Sequence, residues 1–157
     1  MSAVNFAEFV DAADAEAAKT NGKARKLGEL NPKWVQTLSN YGIMLESHEI
    51  FIRDTDIRHS LRPNKHKPIL KRWFQNLPFY WLRPDAVLLD TTHHEGLYLL
   101  LIYQYNSVVY KLVVRLNYFV RKQGVMNIIV TGSQIDVNES GIKSLIGKGY
   151  DFIDGTL

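Results

Sequence analysis

From residue 86 to residue 134, apolar and polar positions alternate and predict consecutive β-strands at 86–90, 97–105, 108–119 and 125–134. Successive side chains of a strand point to opposite faces. Tyr110, Leu112, Val114 and Leu116 therefore share one face, and Lys111, Val113, Arg115 and Asn117 share the other. In the next strand Met126, Ile128 and Val130 fall on one side, and Asn127, Ile129, Thr131 and Ser133 on the other. If the two strands pair with their polar sides together, Lys111, Arg115, Asn127, Thr131 and Ser133 converge on one patch. The stretch 97–105 is apolar on both faces and is expected in the middle of the sheet. Asn106-Ser107 and Lys122-Gln123-Gly124 supply the turns.

The N-terminal part follows a helical period instead. Phe6, Phe9, Val10, Ala13 and Ala17 recur at helix spacing within 1–20. Residues 20–31 are polar, contain two glycines and read as a linker. Asn31-Pro32 starts a second helix, with asparagine as cap, Trp34, Val35, Leu38 and Tyr41 inward, and Gly42 at its end. A short strand at 48–53 carries Ile50 and Ile52 on one side. Asp54-Thr55-Asp56 opens a helix that stops near Arg62, because Pro63 disfavours helix before it. Another helix runs from Pro68 to Pro78, and a last one is expected at 138–148. Helices followed by a meander of strands predict an α+β fold, with N-terminal helices packed on a four- to five-stranded antiparallel sheet. Residues 1–42 read as a helical segment or linker, and 43–157 as the main domain.

Composition narrows the class. At 157 residues, 46% of them apolar, the chain can bury one substantial core. With no cysteine there is no disulfide, thiolate nucleophile or cysteine zinc site. The longest apolar run, 97–103, is far too short to span a membrane, and the first 20 residues lack a signal-peptide pattern. The net charge is only +3, but residues 53–75 hold seven arginines and lysines against two aspartates, with His59 and His66 in addition. A basic run beside Trp73 and Phe74 suits nucleic acid.

The candidate chemistry is phosphate chemistry. Two cations beside hydroxyl and amide groups suit a phosphate better than a core. No glycine-rich phosphate loop or nucleophile elbow is present. His93-His94-Glu95 is read as a solvated turn, since zinc normally takes three or four ligands. His59 and Arg62 are three apart on one helix flank. Histidine moves protons near neutral pH, and arginine offers a planar fork to phosphate oxygens. Facing Lys111, Arg115 and Thr131, His59 would complete a metal-free phosphodiesterase site. For RNA, a base takes the ribose 2′-hydroxyl proton, the oxygen attacks the adjacent phosphate, and cations stabilise the transition state.

From about His48 to Asp136 the chain resembles the phage-associated nucleases of the barnase–EndoU–colicin–RelE superfamily, found in Mu-type head-morphogenesis proteins and polymorphic toxins. The resemblance rests on Glu49 to Arg62, Asn76-Leu77-Pro78, Arg83-Pro84-Asp85-Ala86-Val87, the Tyr110 to Arg115 strand, and Asn127-Ile128-Ile129-Val130-Thr131-Gly132. It implies a toxin-like or phage-borne endoribonuclease that needs no metal or other cofactor and leaves a 2′,3′-cyclic phosphate. RNA is the expected partner, with tRNA as one candidate target, alongside a cognate inhibitor protein and no membrane. The expected setting is the cytoplasm of a host or target cell, with delivery by a virion as one route. Under this resemblance His59 is the proton-transfer group, and Arg115 and Lys111 contact the transition state. Thr131 or Ser133 orients the phosphate or the 2′-hydroxyl, and Arg62 is a second phosphate contact; Asn127, from the shared strand face, and Lys65 and Lys67, from the basic run, are read as further substrate-binding residues. The alternative is a non-catalytic nucleic-acid-binding or virion-assembly module of the same fold.

Overall fold

A computed structural model describes residues 3–15, 22–62, 69–92, 95–105, 108–135 and 149–155. In chain order the elements are α1 (Ala3–Ala15), β1 (Ala24–Glu29), α2 (Pro32–Asn40), β2 (Glu49–Arg53), α3 (Asp54–Leu61), α4 (Lys71–Gln75) and α5 (Leu77–Tyr80). They continue with β3 (Ala86–Asp90), β4 (Leu97–Tyr105), β5 (Val108–Val120), β6 (Gly124–Ile135) and β7 (Tyr150–Gly155). Asn31 caps α2 as expected, its Oδ1 accepting from the Lys33 N–H at 2.9 Å. The helix expected over 68–78 is two short ones that break at Asn76, with Pro78 in the first turn of α5, where its missing N–H costs nothing. The helix expected at 138–148 lies outside the described residues.

The α+β class holds, but the sheet is larger than expected and mixed. Seven strands lie in the order β1-β2-β6-β5-β4-β3-β7. All neighbours are antiparallel except β2 and β6, which pair in parallel with Ile50, Phe51 and Ile52 opposite Asn127, Ile128 and Ile129. Parallel pairing needs a long connection, and here everything from α3 to β5 intervenes. β4 is interior, as its two apolar faces require. The two unforeseen strands are the edges. β1 occupies the stretch read as a linker and buries only Leu27 among its side chains, while Gly28 lies close under the Trp81 ring. β7 buries only Ile153. An edge strand is half solvated, so its sequence carries little apolar alternation.

Among the described residues, the five helices pack on one face of the sheet. Phe6 and Val10 of α1, Trp34 and Leu38 of α2, Ile57 of α3, Trp73 and Phe74 of α4 and Leu77 of α5 join one core. Ile50, Ile52, Ile129, Leu112, Val114, Leu99 and Leu101 of the sheet complete it. The N-terminal α1, β1 and α2 thus share the core of the rest. The opposite face carries two smaller clusters built from strand residues. One is Ala86, Leu88, Leu100, Ile102 and Val109, and the other is Val120, Met126 and Ile128. Among the described residues no helix contributes to either cluster.

Candidate functional site on the second face of the sheet

Two backbone irregularities decide which polar residues meet. Along β5 and β6, Lys111 opposes Ser133, Leu112 opposes Gly132 and Val113 opposes Thr131, but Val114 opposes Ile129. One extra residue, Val130, is therefore inserted in β6, and such a bulge reverses the in-out parity beyond it. Thr131 and Ser133 join Lys111, Val113 and Arg115 on the second face, while Ile129 turns into the helical core. A second irregularity lies between Arg115 and Tyr118, where Asn117 takes a left-handed φ of 50°. It returns the Tyr118 ring to the side of Arg115.

Arg115 is the best-held cation of this face. Its guanidinium lies 4.3 Å from the Tyr118 ring centre and 5.5 Å from that of Tyr98, its cross-strand neighbour on β4. Both distances suit cation–π attraction. Its Nη2 also donates to the Glu95 carbonyl at 3.0 Å. Gly96 makes room, since a Cβ there would stand 2.9 Å from the Arg115 Nε. Lys111 sits between Ile102 on β4 and Ser133 on β6. Burial pushes its pKa below the ordinary lysine value, because the ammonium loses hydration among apolar neighbours. Arg53, at the end of β2, lies 5.7 Å from the centre of the same Tyr118 ring. It forms a two-point pair with Asp56 of α3, at 2.7 and 3.1 Å. Burial raises the Asp56 pKa, and the Arg53 pair works against that rise.

Lys111, Arg115, Thr131 and Ser133 are thus brought to one face, and other expected members are not. His59 is exposed on α3, within the helical layer on the opposite side of the sheet from Arg115. The reason is local. α3 begins directly after β2, Ile57 enters the core, and the Ser60 Oγ accepts the Gly132 N–H at 2.9 Å, which lays the helix over that face. The charge of His59 acts on Asp56. Arg62 caps the C-terminus of the same helix and is exposed. Asn127 is fully buried opposite Ile50 and tied into the fold. Its Nδ2 donates to the Ser47 and Glu49 carbonyls at 2.6 and 2.9 Å, and its Oδ1 accepts the Asn117 N–H at 3.1 Å. The expected convergence of His59 and Asn127 with the cations is therefore corrected. Lys65, His66, Lys67, His93 and His94 lie outside the described residues.

Sequence reading missed Tyr98, Tyr118 and Arg53. Tyr98 lay in an apolar run, and the parity of Tyr118 depends on the Asn117 irregularity. Among the described residues no cluster of histidine and carboxylate groups is arranged to hold a metal ion, and no helix is long and apolar enough to cross a membrane. Compared with known proteins, the chain matches no family model, no curated protein and no solved structure.

Proposed function

We propose that the chain binds RNA through the second face of its sheet, with the phosphate backbone running over Arg115 and Lys111. The observation that carries this reading is the Arg115 guanidinium held against two tyrosine rings, on the same face as Lys111, Thr131 and Ser133. Four residues along a strand separate the two cations by about 13 Å, which leaves room for successive phosphates. Thr131 and Ser133 offer hydroxyl donors along the same path. The tyrosines offer faces for bases, which stack on aromatic rings with little regard to sequence.

A second reading keeps this contact and adds cleavage: a metal-independent endoribonuclease, toxin-like or phage-borne. Lys111 supports it, because a desolvated lysine gives up its proton more readily and can then accept one from a 2′-hydroxyl. Arg115 would stabilise the charge that develops on the phosphate. His59 has no part in this version.

The two readings separate in one assay. Single-stranded RNA is incubated with the protein in EDTA, and binding and product ends are followed together. Salt-dependent binding without turnover supports the binding module, and products ending in 2′,3′-cyclic phosphate support the nuclease. For the binding itself, Lys111→Met with Arg115→Met should reduce the salt slope by about 1.4, since each lost phosphate contact on a single strand contributes about 0.7. If cleavage occurs, His59→Ala should leave it unchanged, whereas a site converging on His59 would slow by about 100-fold or more. RNA affinity indifferent to both Lys111 and Arg115 overturns the whole reading.

A further inference from the structure

On the helical side of the sheet, at the end where β4 stops and β5 begins, aromatic residues form more than a core. Trp73 of α4 stacks on Tyr110 at 4.6 Å and 24°, and on Tyr80 at 6.0 Å and 15°. It meets Tyr103 edge-on at 5.2 Å. The Tyr80 and Tyr105 rings lie 6.1 Å apart, tilted by 39°. The inner members are sealed, whereas Tyr105 is 47% exposed and Phe79 63% exposed. Two hollows open here, of about 380 and 430 Å³. Both reach the size range of small-ligand sites. Trp73, Tyr80 and Tyr105 line both, so the hollows share one aromatic wall.

Each hollow also has its own cation and its own polar edge. Arg83, Asp85 and Gln104 border the first, and Arg72 and Asn76 border the second. Among the described residues, no side-chain hydrogen bond or ion pair occupies either guanidinium. The Asp85 carboxylate is oriented by the Gln104 N–H at 2.6 Å, and the Asn76 Nδ2 by the Arg72 carbonyl at 2.8 Å. A ligand matching one hollow is flat and aromatic, hydrogen-bonds at its edge and carries negative charge beside the ring. That is the chemistry of a nucleotide. Two such hollows on either side of one tyrosine pair match two neighbouring nucleotides of a strand.

We propose that this double hollow is a base-binding site for single-stranded nucleic acid, with one base stacked on each side of the Tyr80–Tyr105 wall. Arg72 and Arg83 receive the flanking phosphates. The site deepens the nucleic-acid reading given above by adding a place for bases, but it uses neither Lys111 nor Arg115, so the two can fail separately. Ring stacking tolerates any base, so recognition here is of a single strand and not of a sequence.

The test uses an oligodeoxythymidine hexamer, which lacks the 2′-hydroxyl and cannot be cut by the route above. Binding is read from tryptophan fluorescence at low salt with EDTA, and thymidine 5′-monophosphate is titrated in parallel. The hexamer should bind more tightly than the mononucleotide. Tyr105→Ala should weaken hexamer binding by roughly 5- to 150-fold, the range of one lost base–aromatic stack. Tyr105→Trp should retain it, which guards against a fold defect in the alanine variant. Arg83→Gln should lower the salt slope by about 0.7. Lys111→Met should leave the fluorescence change dependent on Tyr105. Hexamer binding unaffected by Tyr105→Ala, in a protein with unchanged circular dichroism, overturns the site. Equal affinity for hexamer and mononucleotide overturns the strand and leaves a single-nucleotide pocket. RNA binding and salt slope unchanged in Lys111→Met with Arg115→Met, beside a normal response to Tyr105→Ala, overturns the sheet-face reading alone.

Discussion

Replacing Ser60 with alanine probes the link that places α3 and fixes β6 beside its bulge. The pairing of β2 with β6 ends at Ile52 and Ile129, so beyond that point this edge of β6 has no strand beside it. The buried Gly132 N–H then needs another acceptor and finds the Ser60 Oγ at 2.9 Å. The same hydroxyl donates to the Asp56 carbonyl at 2.9 Å. Ser60 is 1% exposed, so water cannot replace it without local opening. Ser60→Ala should cost about 1–3 kcal/mol for a buried donor left without a partner. The better helix propensity of alanine returns about 0.5 kcal/mol. With a net loss of about 1–2 kcal/mol, the melting temperature should fall by roughly 2–8 °C for a domain of this length. Urea and thermal unfolding followed by tryptophan fluorescence would measure it, and the Gly132 amide should exchange faster with deuterium. A variant as stable as wild type to within about 0.5 kcal/mol, with unchanged exchange at Gly132, would show that the hydrogen bond does not anchor this edge. The placement of α3 over this edge would then need another cause.

Lys111 and Asp154 both make stability rise with pH, Lys111 in an alkaline window and Asp154 in an acid one. Burial lowers the Lys111 pKa below its unfolded value of 10.5, so the unfolded chain binds more protons between the two values and stability should rise with pH across that window. Lys111→Met should be more stable than wild type at neutral pH and lose the alkaline rise; urea midpoints at about pH 7 and about pH 10 would check both. Asp154 joins β7 to α2, accepting from the Trp34 Nε1 at 2.8 Å, the Lys33 Nζ at 3.0 Å and the Gly155 N–H at 2.9 Å. The Trp34 bond, then that of Lys33, holds its carboxyl below the ordinary 3.8, so its stabilisation is present above that value and is lost as pH falls through the lowered pKa. Asp154→Asn should cost about 1–2 kcal/mol at neutral pH and remove that part of the acid sensitivity. An acid-unfolding curve identical to wild type would refute the role.

Much of the middle of this molecule was legible in the chain because alternation is a local property. A strand shows its two faces to any reader, and the inward set Tyr110, Leu112, Val114 and Leu116 is buried as the pattern required. The Asn31-Pro32 start of α2 and the interior place of β4 follow from equally local rules. The shared face of Lys111, Arg115, Thr131 and Ser133 was also anticipated. Asn127 was grouped with them on the assumption of an unbroken strand, and the inserted Val130 separates it.

What the sequence determined by itself was the α+β class, the identity of most elements and the pair of cations on one side of β5. Only the tertiary structure decided that β2 runs parallel to β6, that β1 and β7 close the edges, and that His59 and Arg115 lie on opposite sides of the sheet. These outcomes depend on partners distant in sequence: Gly132 for Ser60, Ile129 for Ile52, Trp81 for Gly28. A side chain's period specifies which way it points from its own backbone, but the layer it enters is set by whichever distant surface covers its neighbours.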